Sequence, residues 1–142
     1  MMLMIESDFE YKGYRCITTF TSMGFRCGYV GIPNNKITDA DKDAFERSIC
    51  VHGGITFSGD NHPVPSDDLW FIGFDCGHYG DGYDFDEVLR LWGEDNSIRE
   101  SIKILADGKF HQFPARTLEY VQNECRQMVD QIIEYFEEKE RS

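Results

Sequence analysis

Basic side chains are scarce in this sequence. Fourteen Lys and Arg stand against 26 Asp and Glu, a formal net charge of −12. A chain so acidic repels phosphate backbones at long range, so direct nucleic-acid binding is not expected. Long apolar runs are also missing: no stretch of about 18 apolar residues occurs, and no membrane-spanning helix is expected. The opening MMLMIESDFE has no basic segment and soon turns acidic, so it is not expected to be a secretory signal. No CxxC pair occurs, and the five cysteines (Cys16, Cys27, Cys50, Cys76 and Cys125) are odd in number and widely spread. A disulfide framework would be even and denser, so reduced thiols in a cytoplasmic protein are expected. Cys16 and Cys27, in adjacent expected strands, are the pair that could face each other. No P-loop, GxGxxG or HExxH pattern is present, so neither a nucleoside-triphosphate nor a metalloprotease motif identifies the chemistry.

What is present is ordinary for a globular chain: 142 residues, 41% hydrophobic and 28% charged, enough for one domain with its own core. Residues 1–12 read as a weak lead-in. YRCITTFT (14–21) and FRCGYVGIP (25–33), separated by a short Gly-containing turn, read as a β-hairpin closed by Pro33. Gly28 and Gly31 inside the second strand suggest close packing first and ligand approach second. Thr38 is the expected N-cap of a short helix to about Ile49, with Ala44, Phe45 and Ile49 on its buried side.

Two short strands are expected in the centre, Gly54–Phe57 and Leu69–Phe74, joined by a stiff loop over 60–68 that carries Pro63 and Pro65. Residues 82–113 are a variable-looking segment. DFDEVLRLWG (84–93) has a helical pattern between an Asp84 cap and a Gly93 stop, whereas NSIRESIKILADG (96–108) fits a helix through Ile98, Ile102 and Leu105 or a strand through Ile102 and Ile104. Thr117 begins a helix over 117–138 whose Leu118, Val121, Cys125, Met128, Ile132 and Tyr135 form one stripe, widened by Val129, Ile133 and Phe136. A face this wide packs on a sheet. The expected fold is therefore α+β: a small antiparallel sheet of about four strands against a long C-terminal helix, with one or two short helices.

The segment VHGGITFSGDNHPVPSDDLWFIGFDCGHYGD (51–81) gathers the chemically distinctive residues. His52, Cys76, His78 and Asp81 are metal-ligand types, though without ligand-spacing grammar. Strand alternation would put Cys76 and His78 on one face if the strand ran on past Phe74. Cys76 as nucleophile, with His52 or His78 as base and Asp75 or Asp81 as orienter, matches a thiol hydrolase, and the Gly53-Gly54 backbone could serve an oxyanion. A ligand pocket is the third option. His52, Gly53, Gly54, Thr56, Trp70, Asp75, His78 and Asp81 offer hydrogen bonds, backbone donors and a stacking surface suited to a small nucleotide-like ligand. Phosphates would draw on Arg15, Arg26 or Lys36. Fourth, Asp60, Asp67, Asp68, Asp81, Asp84, Asp86 and Glu87 make an acidic set that could mimic nucleic acid and cover a basic groove on a host enzyme. Against each stands a plain alternative: aromatics as core, acids as solvated surface, and an Asp–His bond bracing loops. No cofactor is expected, with a metal ion kept as the lesser option, and self-association is left open.

The pieces FRCGYVGIP, VHGGITFSG, WFIGFDCGHYGD and YVQNECRQMVDQI, in this order, resemble a widespread family of small uncharacterised phage and prophage proteins. In that family an RCGYVG strand, an HGG(L/I)T(Y/F)SG strand and a W-x-x-GFDCxHxGD strand recur. The resemblance covers most of residues 25–82 and the start of the last helix, and leaves the segment up to 113 unmatched. It implies a phage-encoded accessory protein of the host cytoplasm, of a kind that often blunts host defences. It implies no known activity. The expectation is a stoichiometric binder, a counter-defence factor that sequesters a small nucleotide-like ligand or blocks a host defence protein. The alternatives are a small metal- or cysteine-dependent hydrolase using His52, Cys76, His78 and Asp81, and the acidic mimic.

Overall fold

In a computed structural model, which describes residues 1–107 and 113–142, the β-branched and aromatic runs form a five-stranded sheet. In chain order the elements are β1 (Leu3–Tyr11), β2 (Tyr14–Thr21), β3 (Arg26–Pro33), α1 (Asp39–Ser48), β4 (Phe57–Gly59), β5 (Leu69–Asp75), α2 (Phe85–Trp92), α3 (Asn96–Ala106) and α4 (Leu118–Arg141). The sheet order is β1-β2-β3-β5-β4, and each neighbouring pair is antiparallel. The α+β architecture with a long C-terminal helix is as expected. The strand count rises from about four to five because the lead-in is itself β1. Its Leu3, Met4 and Ile5 remain more than a third exposed, so burial periodicity did not mark it. The hairpin with β2 forms through Lys12 (φ 49°) and Gly13 (φ 87°), the left-handed pair that a two-residue turn requires.

Alternation along the strands separates two faces. On one, Cys16, Val30, Ile32, Ile72 and Phe74 meet Val121, Cys125, Met128, Val129 and Ile132 of α4. These five α4 residues have no exposed surface, and burying each large aliphatic among them contributes roughly 1.5–3 kcal/mol. Gly28 lets the helix sit this close: a Cβ there would stand 2.8 Å from Cys125 Sγ and 2.6 Å from the Phe74 ring. On the other face Ile17, Cys27, Tyr29 and Phe71 pack with Phe57, Val64 and Leu69. Cys16 and Cys27 therefore do not face each other. Cys16 opposes Val30 and Cys27 opposes Thr19, on opposite faces of the sheet, and all five thiols are free.

The segment that was ambiguous between helix and strand is helix α3, capped by Asp95. Ile102 is buried against Phe20, Phe85 and Val88, while Ile104 is 75% exposed. The strand alternative fails because Ile102 and Ile104 point to different environments. Gly108, the last residue of that segment, and 109–112 lie outside the described residues. Among the described residues no helix is long and apolar enough to cross a membrane.

Thr38 caps α1 as expected, and Asp41 completes the reciprocal capping box. Asp41 does more than cap. Only 1% exposed, it also accepts from Tyr135 Oη at 2.6 Å and from Lys139 Nζ at 2.9 Å, which ties α1 to the end of α4. Burial alone would raise its pKa, but the Tyr135 hydroxyl, the Thr38 amide and the Lys139 ammonium hold it well below the usual carboxylate range. A carboxylate depressed in the folded state contributes stability above its unfolded value and loses it as pH falls toward the folded one. Asp41→Asn is thus expected to cost about 2–3 kcal/mol at neutral pH. Its stability should also fall less steeply than the parent's below about pH 4, where the unfolded carboxyl begins to protonate. Urea melts across pH 3–7 read both effects, and parallel acid limbs would contradict this account.

Candidate functional site

β5 ends at Asp75, and the chain then turns sharply through 76–82. Cys76 N–H donates to Arg26 O at 2.9 Å, and Gly77 N–H donates to Asp75 Oδ1 at 3.0 Å, so the first residues of the turn are fixed to β3 and to the strand end. The turn closes with Asp81 N–H on His78 O at 2.9 Å. This brings Asp81 back beneath His78, where its carboxylate is 5% exposed.

Asp81 is a hub. His52 Nε2 lies 2.9 Å from its carboxylate, His78 N–H donates to Oδ2 at 3.0 Å, and Arg116 Nε donates to Oδ1 at 3.1 Å. Burial pushes the Asp81 carboxyl toward neutrality, but the bonds from His52, the His78 amide and Arg116 outweigh it and hold the group below its ordinary value. The carboxylate form prevails. His52 comes from a tight turn in which Gly54 N–H meets Val51 O at 2.8 Å, and its own N–H donates to Glu124 Oε1 of α4 at 2.9 Å. Its second ring nitrogen, Nδ1, stands 2.8 Å from Tyr120 Oη. Arg116 lies over the Tyr120 ring at 5.0 Å. One carboxylate thus joins three separate pieces of chain: the turn at 51–54, the loop at 76–82 and the lead into α4.

His78 is held differently. Its side chain is 37% exposed, yet Nδ1 is buried and has no hydrogen-bond partner among the described residues. It stands 3.5 Å from Asp75 Oδ1 and 3.7 Å from Asp81 Oδ2. Gly53, at φ 68°, lies against this ring, and a Cβ there would come within 2.7 Å of Nδ1. The ligand atoms of His52, His78 and Asp81 lie within 4.8 Å of one another, the one such grouping among the described residues.

Of the residues singled out in the sequence, the structure brings together His52, Gly53, Asp75, His78 and Asp81. It separates the rest. Gly54 shapes the turn, and Thr56 serves through its N–H, which donates to Gly73 O at 2.9 Å. The strand expected at Gly54–Phe57 is shifted to Phe57–Gly59 because the Gly53-Gly54 pair is spent on the turn. Trp70 is buried at the far end of β5, five residues or about 17 Å from Asp75, with Lys42 over its ring. It is no stacking surface for this site.

Cys76 is a further correction. The strand stops before it, so Cys76 and His78 do not share a face. Its thiol is fully buried, and burial, reinforced by the Asp81 charge, pushes it up to about 12. A nucleophilic thiolate needs the opposite environment. The expected phosphate cations are engaged elsewhere: Arg15 with Asp8, Arg26 with Glu6, and Lys36 with Tyr14. The acidic set divides too, since Asp81 is buried, Asp84 caps α2 and Glu87 pairs with Arg90, leaving Asp60, Asp67, Asp68 and Asp86 exposed.

Sequence reasoning missed Arg116, Tyr120 and Glu124. Tyr120 and Glu124, four apart at the start of α4, lie on the helix side that meets the turn at 51–54, and Arg116 joins them from just before the Thr117 cap. That periodicity was available, but it is polar and escapes a search for apolar stripes. No protein family, curated protein or solved structure matches the chain.

Two outcomes follow. Cys50 is exposed and the other four thiols are buried, so a colorimetric thiol reagent should titrate one fast equivalent natively and five after denaturation. A fast second equivalent would show that one of the thiols placed in the core is accessible, and its loss in Cys76→Ser would assign it to Cys76. Gly54→Ala, with a left-handed φ of 81° but open space, should cost about 1 kcal/mol of stability. Gly53→Ala must also displace the His78 ring and should cost about 2–3 kcal/mol. Equal losses in thermal or urea melts would remove the ring contact from the account.

Proposed function

We propose that the chain acts by stoichiometric binding and that it holds a small nucleotide-like ligand at the Asp81 cluster. The observation that carries this reading is that one buried carboxylate organises three partly open groups of different chemistry. These are the Arg116 guanidinium (41% exposed), the His78 imidazole and the Tyr120 ring. A cation, a hydrogen-bonding heterocycle and an aromatic face are the groups that recognise phosphate, base edge and base plane. They sit just past the end of a central strand and at the entry to the longest helix, and their shared bonds to Asp81 and to one another hold them together. The burial of Cys76 supports binding over cysteine-dependent turnover.

In the phage setting that the sequence resemblance implies, such a protein works in the host cytoplasm. There it keeps the ligand from a defence protein or covers that protein directly. A second reading, a metal-dependent hydrolase, is favoured by the convergence of His52, His78 and Asp81 and separates from the first by turnover.

The test is a panel of linear and cyclic mono- and dinucleotides in equilibrium dialysis against the purified chain, with chromatography of whatever is retained. A binder returns the nucleotide unchanged on denaturation, whereas the hydrolase returns a product. Arg116→Lys keeps a charge near Asp81 but loses the planar fork, and is expected to weaken retention about tenfold or more. If no nucleotide is retained or altered, the small-ligand reading is wrong and a macromolecular target takes its place.

A further inference from the structure

We propose that His52, His78 and Asp81 form a site for one divalent first-row transition-metal ion, and that this ion joins Arg116 in supplying positive charge to a phosphate-bearing ligand. The second half rests on the binding reading above. The first half stands on geometry alone.

The donor set is two imidazole nitrogens and a carboxylate, with a second carboxylate, Asp75, beside them. Zinc and its first-row neighbours favour this mixture over the all-oxygen sets of calcium and magnesium. Metal–ligand bonds near 2.1 Å give ligand–ligand edges of roughly 3.0–3.4 Å. His52 Nε2 to Asp81 is already 2.9 Å, and His78 Nδ1 to Asp81 Oδ2 is 3.7 Å. Only the His78 side has to tighten, and His78 sits in a loop between Gly77 and Gly80.

The surroundings are those of a ligated site. Tyr120 Oη stands 2.8 Å from His52 Nδ1. With a metal on Nε2, the imidazole proton resides on Nδ1 and is donated to this hydroxyl. Without one, the neutral ring carries it on Nε2 toward Asp81, and the hydroxyl donates instead. Arg116 holds Asp81 Oδ1 and orients the carboxylate so that Oδ2 faces the histidines, the supporting role usual for a group just behind a metal ligand. Two carboxylates against one guanidinium leave the cluster net negative when both rings are neutral, which favours a cation.

The independent observation is His78 Nδ1. It is a buried nitrogen with no hydrogen-bond partner among the described residues, 3.5 Å from Asp75 Oδ1 and 3.7 Å from Asp81 Oδ2. Such an atom costs free energy unless something satisfies it. A metal ion does so. The competing account is a protonated His78 clasped by the two carboxylates, which would exclude a metal.

The full chain, dialysed against chelator, would be titrated with zinc by calorimetry and with cobalt by visible absorbance. One ion per chain is expected, with a cobalt d–d band and a zinc-dependent rise in the melting midpoint. His78→Gln should weaken zinc at least tenfold and abolish the midpoint rise while leaving the metal-free midpoint unchanged, because Nδ1 makes no hydrogen bond to lose. His62→Gln, outside the cluster and bonded to Tyr29, should leave zinc affinity unchanged. Absence of zinc heat and of a cobalt band overturns the site, as does His78→Gln binding zinc like the parent.

Repeating the nucleotide panel with and without chelator separates the two halves. Nucleotide retained equally in both, with no metal bound, keeps the binding reading and overturns the metal. Metal bound with no nucleotide retained keeps the site and overturns the binding reading. Retention that is lost on chelation supports both.

Discussion

A single buried carboxylate, Asp81, is the constraint on which the functional end of this molecule depends. A charged group taken out of water costs several kcal/mol unless its oxygens are fully engaged. Asp81 meets that condition with His52, the His78 amide and Arg116. Because the three donors come from three distant pieces of chain, satisfying the carboxylate also sets the path of each. The turn at 51–54, the loop at 76–82 and the entry to α4 could not be placed independently and still share two oxygen atoms.

The rest of the fold makes that meeting point reproducible. β3 and β5 are the central pair of the sheet, and the Cys76 amide stays on β3 one residue after β5 ends. α4 is pressed onto the same sheet through a row of residues with no exposed surface, and the absent Cβ of Gly28 sets how near it comes. The strand end and the first turn of α4 therefore stand at a fixed distance. Arg26 adds a second tie across the same gap, paired to Glu6 at 2.6 Å and donating to Arg116 O at 3.0 Å. At the opposite end of α4, Asp41 does for α1 what Asp81 does for the loops. Both are buried carboxylates met by donors from other elements.

The sequence made legible whatever depends on apolar periodicity and capping chemistry. The β2–β3 hairpin, the Thr38, Asp84 and Thr117 caps, the α4 stripe and the α+β class all belong to that kind. β1 was hidden because its first residues are exposed, so its pattern has no buried phase to detect. The cluster was half legible: His52, Asp75, His78 and Asp81 stood out as residue types in a glycine-rich run. Cys76 and Trp70 stood out equally and lie in the core, because residue type carries no information about which side of a strand end a side chain takes. Arg116, Tyr120 and Glu124 could be read only by asking what polar face the start of α4 turns toward the turn at 51–54, a question about tertiary contact.

A brace and a binding site make different demands on the same residues. Bracing accounts for Asp81 and His52, whose side-chain polar atoms are matched, and for the Arg116 Nε that holds Asp81 Oδ1. It does not account for the His78 ring. The backbone amide of His78 already serves Asp81, and any residue could supply it. The ring instead holds a buried nitrogen unmatched between two carboxylates, with a glycine beneath it at a left-handed φ where a side chain would collide with it. An arrangement that adds an unsatisfied polar atom to a loop already secured gains nothing in stability from it. A buried nitrogen of this kind is one that a bound group would satisfy. His78 is therefore the residue on which bracing and binding part.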